Sequence, residues 1–169
     1  MTPDTPGDIR DVITFKLARV TTLNDRMGQR LFSQELGLSL REFRTLATVS
    51  YLGMATTTAL ARESFLDHAQ VSRMVAALVA RGLLERLGGG TRGGVLRLTE
   101  AGARMVEDGI AFAARQNRHL VEDMPAGDIE TLARLVDDLL GHAQAMYAKV
   151  NGEITSLVDG AAADGGPDP

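Results

Sequence analysis

Between Asp67 and Thr99 a helical spacing of apolar residues stops at a single glycine and gives way to two short apolar runs around a glycine-packed loop. Asp67 is placed to cap a helix, because its carboxylate can accept from the free N–H groups of the first turn. Val71, Met74, Val75, Leu78 and Val79 follow at i, i+3, i+4, i+7 and i+8, one stripe along a helix. Arg81 falls in the last turn and Gly82 at the stop. The helix spans about 15 residues, or about 22 Å. Leu83-Leu84-Glu85-Arg86 and Val95-Leu96-Arg97-Leu98 then read as paired strands, joined by Gly88-Gly89-Gly90-Thr91-Arg92-Gly93-Gly94. The order predicted is helix, then a β-hairpin lying beside it as a wing.

The other side of this helix carries His68, Ala69, Gln70, Ser72, Arg73 and Ala76, with no acidic residue after the cap. Such a face fits a major groove: Gln pairs bidentately with adenine, Arg with guanine, and Ala touches a thymine methyl. A solvated helix face is the plainer alternative, and for the helix alone it is the commoner case. Upstream, Thr56-Thr57-Thr58-Ala59-Leu60-Ala61-Arg62 starts another helix, with Thr56 as its cap. A break at Ser64 to Leu66 joins the two, which makes a helix-turn-helix. Thr56 and Thr57 are placed to hold phosphates, though capping is the commoner job for either. Arg92 is the one charge in the loop, suited to a narrow minor groove if the hairpin is more than an exposed turn.

The ordered set Leu40-Arg41-Glu42-Phe43-Arg44-Thr45-Leu46, Leu60-Ala61, Asp67-His68-Ala69-Gln70-Val71-Ser72-Arg73, Arg81-Gly82-Leu83-Leu84-Glu85-Arg86 and Leu98-Thr99-Glu100-Ala101-Gly102 resembles the MarR family of winged-helix regulators over residues 10 to 150. One feature departs from that family. Its wings usually carry Asp-x-Arg, and here Gly90 stands in the Asp place before Arg92, in a wing about two residues shorter. The resemblance implies a mainly α fold: a winged helix-turn-helix lobe with a two-stranded wing, flanked by N- and C-terminal dimerisation helices. It also implies a C2 dimer on a pseudo-palindromic site, and a pocket between the arms and the lobe for small aromatic or anionic effectors. Asn24, on the apolar side of the first helix, and Arg44 and Thr48, on the second, are the residues expected there. A core hydrogen bond for Asn24 and a structural ion pair for Arg44 are the alternatives.

The rest of the chain is read around that lobe. Residues 1–7 are polar and expected to be disordered. A first helix is expected from Asp8 to Leu36, stopped by Gly37, with Ile13, Leu17, Val20, Met27 and Leu31 as its stripe; residues 8–38 form one dimerisation arm. Ser39 and Glu42 make a capping box for the second helix, opening the lobe of residues 39–100. Residues 101–150 hold two further helices around Pro125-Ala126-Gly127. The last, Asp128 to Val150, carries a heptad-like seam of Ile129, Leu132, Val136, Leu139, Ala143, Met146 and Val150, widened by Leu135 and Leu140. Residues 151–169 are expected to be mostly a disordered tail.

Composition narrows the function. Zero cysteines among 169 residues exclude disulfides, thiolate metal sites and thiol nucleophiles. No apolar run approaches ~18 residues, so no membrane span is expected. The polar, proline-bearing start is unlike a signal peptide, which favours the cytoplasm. Sixteen arginines against two lysines suit a GC-rich bacterial genome. The net charge of −4 is unevenly spread: residues 39–100 hold eight arginines and five acids, giving +3, while residues 101–169 sum to −7. The lobe thus carries the positive charge that phosphate binding needs. An enzyme is not expected, nor is a metal site or a cofactor. The His119–Glu122 pair lacks a mirror partner, and the glycine run lacks the Lys-Ser/Thr ending of a phosphate loop. The chain is therefore expected to bind double-stranded DNA as a homodimer, a repressor relieved by a small effector. The rival reading is a winged-helix module that binds protein.

Overall fold

The computed structural model describes residues 7–88 and 94–163, the side chains of 153–163 excepted. The chain forms two compact units, residues 1–116 and 117–169. In the first, a 3-10 turn (Ile9–Asp11) precedes helices α1 (Ile13–Leu36), α2 (Leu40–Leu52), α3 (Thr57–Ser64) and α4 (His68–Ala80), strands β1 (Leu84–Leu87) and β2 (Val95–Leu98), and the start of α5 (Glu100–Val121). The second holds the end of α5 and α6 (Ala126–Ala163). Helix dominates, and the two strands among the described residues pair as the winged arrangement that the spacing predicts.

Three boundaries differ from those expected. Asp8 does not cap α1. Its carboxylate accepts from the backbone N–H and guanidinium of Arg10, which closes a tight turn, and Val12 is extended at φ −70, ψ 123 before α1 begins at Ile13. The hairpin ladder starts at Leu84 rather than Leu83, because Leu83 spends its N–H on the Leu78 carbonyl and its carbonyl on the Thr99 N–H. The last helix does not end at Val150: it continues through Ala163, into the segment expected to be a tail. No proline interrupts residues 151–163, and the run closes on three alanines, the strongest helix formers.

The capping box at Ser39 is present. The Ser39 hydroxyl accepts from the Glu42 N–H at 3.1 Å, and Glu42 Oε2 accepts from the Ser39 N–H at 2.7 Å. Partial burial pushes the Glu42 carboxyl up, but the Ser39 N–H and hydroxyl together with Arg81 outweigh it and hold the group below its ordinary value. A lowered native value stabilises the fold above the unfolded value, and this contribution is lost as pH falls through the native one. Glu42→Gln, which keeps the capping-box acceptor and removes only the charge, is therefore expected to cost about 0.3–1 kcal/mol in urea melts near neutrality, and progressively less below the ordinary carboxylate range. A cost that stays constant into acid contradicts this.

The core of the first unit is closed by side chains with almost no exposure: Leu38, Leu46, Val49, Leu60, Val71, Val75, Leu78, Leu84 and Leu96. The hairpin register is Leu84↔Leu98, Glu85↔Arg97, Arg86↔Leu96 and Leu87↔Val95, and Ala55 bridges Leu96 to tie the wing to the lobe. Three rings join α1, α2 and α5: Phe32 lies 4.6 Å from Phe43 and 5.0 Å, edge-on, from Phe112. Of the stripe expected on α1, Leu17 and Leu31 are partly buried, Leu31 against the core. Phe32 is the buried residue of that helix, while Ile13, Val20, Leu23 and Met27 are exposed.

Candidate nucleic-acid interface

Two capped helices and a tight turn build the candidate reading surface. Thr56 caps α3 by accepting from the Ala59 N–H at 3.1 Å, so its hydroxyl is engaged locally. Thr57 is half-buried in the first turn. Phe65 makes the turn at φ 53, the only non-glycine residue with positive φ among those described. Asp67 caps α4 by accepting from the Gln70 N–H at 2.8 Å. Val71, Val75 and Leu78 anchor α4 in the core. Its opposite side exposes His68, Ala69, Ser72, Arg73 and Ala76, with Gln70 half-exposed at the edge. His68 Nδ1 and Ser72 Oγ stand 3.4 Å apart, one turn on the same face. Arg92 and Gly90 lie outside the described residues.

The charge on this surface is available. Arg97 is paired with Glu85 at 2.7 Å, Arg81 with Glu42 at 3.3 Å, and Arg44 with Asp25 at 2.6 Å. Among the described residues, Arg41, Arg62 and Arg73 have no such partner. Arg41 shares an open groove with Gln70, Arg73 and Met74. Its position in the first turn of α2, between the two capping-box residues Ser39 and Glu42, is the signal that marks it.

A second depression, of about 610 Å³, is lined by Asp25, Arg41, Arg44, Thr48, Tyr51 and Glu63, among others. Arg44 and Thr48 line this cleft, and the Thr48 hydroxyl donates to the Arg44 carbonyl at 2.9 Å. Asn24 does not line it. Asn24 shares the exposed side of α1 with Val20 and Met27, and its neighbour Asp25, about 100° further round the helix, faces the cleft instead. His119 Nδ1 and Glu122 Oε2 stand 3.0 Å apart on an exposed helix face. Among the described residues, no group of three or more metal-ligating side chains stands together, and no helix is long and apolar enough to cross a membrane.

Comparison with known proteins agrees with this geometry. The MarR-family model matches residues 36–93. Wild-type apo MarR from E. coli is 23% identical, with 76% of this chain and 97% of that one covered at a TM-score of 0.68. A MarR-family transcriptional regulator from Silicibacter pomeroyi DSS is 22% identical, with 82% and 93% covered and a TM-score of 0.69. One from Rhodococcus sp. RHA1 is 21% identical, with 79% and 96% covered and a TM-score of 0.71. No curated protein sequence matches the chain. Residues 36–93 are thus similar in sequence to the MarR family, and the greater part of the chain is similar in fold to those proteins.

Proposed function

We propose that the protein is a DNA-binding transcriptional regulator, acting as a dimeric repressor on a pseudo-palindromic operator and relieved by a small ligand. The observation that carries this reading is the outer face of α4: polar and small side chains, no carboxylate, and an arginine with no partner among the described residues. Gln70, Ser72 and Arg73 read base edges or adjacent phosphates. His68, Thr57 and the first turn of α3 contact the backbone, Arg41 supplies a further phosphate contact, and Arg92 enters the minor groove.

A second copy is part of the proposal. α1 exposes Ile13, Val20, Leu23 and Met27, and α6 exposes Leu132, Val136, Leu139, Leu140 and Met146. Apolar faces of this length are covered by a partner in soluble proteins. Two lobes then meet half-sites about one helical turn apart. For the ligand, the Arg44 cleft suits a small anion, which must displace Asp25 from Arg44 or use Arg41. Release of DNA on ligand binding is the proposed direction.

Titration with duplex DNA from the region upstream of its own gene tests the proposal. Binding at one discrete site, with log K falling linearly in log salt, supports the regulator. A chain that binds no duplex at ~50 mM salt, where phosphate-driven affinity is large, fits the protein-binding module instead.

A further inference from the structure

The end of α4 is held from two directions. On one side, Arg81 Nη2 donates to the Gly37 carbonyl at 3.0 Å and Nη1 to Glu42 Oε1 at 3.3 Å. The other Glu42 oxygen is engaged by the Ser39 N–H. One guanidinium therefore joins the stop of α1, the first turn of α2 and the exit of α4, across separations of 39 and 44 residues. On the other side, the Gly82 carbonyl accepts from the Thr99 hydroxyl at 2.7 Å, and that hydroxyl in turn accepts from the Gly102 N–H at 3.0 Å. Gly102 is required there, since a Cβ would stand 2.0 Å from the Leu83 carbonyl oxygen.

We infer that Arg81 is a positioning residue for the reading helix, with Glu42 as its partner. Arg81 lies eight residues past Arg73, about 12 Å along the axis, and both of its terminal nitrogens already donate, one to a carbonyl and one to a carboxylate. It does not read DNA. It fixes the rotation of α4 about its own axis by fastening its far end to the α1–α2 corner. A planar fork can serve two acceptors at once, and a lysine ammonium on a flexible stem cannot hold the same geometry. Displacement of α1 or of the first turn of α5 therefore reaches the reading face through Arg81 and Gly82. This inference rests on the proposed DNA reading for its consequence, and on the free protein for its cause.

The test uses the full chain carrying Arg81→Ala, Arg81→Lys or Glu42→Gln. In the free protein, amide hydrogen exchange in α4 should quicken by about tenfold in Arg81→Ala and nearly as much in Arg81→Lys, with the β1–β2 amides unchanged. On DNA, the ratio of specific to non-specific affinity should fall by a similar factor, with the salt slope and non-specific affinity unchanged, and Glu42→Gln should move both readouts the same way by less. Three results overturn the proposal: unchanged exchange in α4; full restoration by lysine; or a salt slope reduced by about one phosphate, which marks a direct contact. If the wild type binds no DNA, the exchange result still decides the role of Arg81, and only the proposed function falls.

Discussion

Arg73→Ala is expected to weaken binding to a specific duplex by about 1–3 kcal/mol and to flatten preference at one base pair in each half-site. The expectation follows from where α4 puts this side chain. Val71, Val75 and Leu78 bury the inner stripe, so helical geometry turns residue 73 outward, one turn past the helix start and beside Gln70. Its guanidinium has no acceptor among the described residues, so a base edge or phosphate gains it without breaking an existing pair. Arg97 differs: its fork is already occupied by Glu85 at 2.7 and 2.9 Å, and Arg97→Ala should change DNA affinity little. Titrations of both variants at one salt concentration check the contrast. Equal losses for the two, with sequence preference intact, would show a diffuse electrostatic effect in place of a reading residue.

The largest effect on stability is expected at Phe43. Phe43→Ala should cost about 3–5 kcal/mol in urea unfolding, through lost burial and the cavity left behind. Against a total of about 5–15 kcal/mol for an ordinary domain, this is a large share. Phe43 is 7% exposed, its ring sits 4.6 Å from Phe32, and its edge fills the space that a Cβ on Gly109 would take, 2.2 Å from Phe43 Cε2. The same contact predicts that Gly109→Ala destabilises by overpacking, by about 1–3 kcal/mol. Combined with Phe43→Leu, which frees the ring's volume, the two changes should cost less than their sum, because they share one contact. Additive costs would show that ring and glycine do not meet.

The lobe was legible in the sequence because each of its elements carries a local signal. Ser39, Thr56 and Asp67 cap the helices they precede, Gly37 and Gly82 take the left-handed conformation that their stops require, and the α4 stripe is buried as its spacing demands. What the sequence did not disclose depends on contacts between distant residues. Phe32 is apolar like Ile13 or Met27, and only the rings of α2 and α5 single it out as the buried residue of α1. Asn24 and Asp25 differ by one step of the helix, and the position of Arg44, 19 residues away, decides which of them faces the cleft. Arg81 looked like an ordinary last-turn cation, and its partners at Gly37 and Glu42 exist only once the chain has folded back. Past Val150 the apolar spacing does continue at Ile154, Leu157, Val158 and Ala161, but Asn151-Gly152 just before it reads as a helix stop, and α6 runs through it.

The chain has no cysteine, so a single Ala69→Cys on the exposed face of α4 offers one attachment point for a DNA-cleaving reagent. With the labelled protein bound to its upstream duplex, cleavage is expected at two major-groove clusters about one helical turn apart, one from each copy. Cleavage spread evenly along the duplex, or confined to the minor groove, would contradict the claim that the outer face of α4 reads DNA.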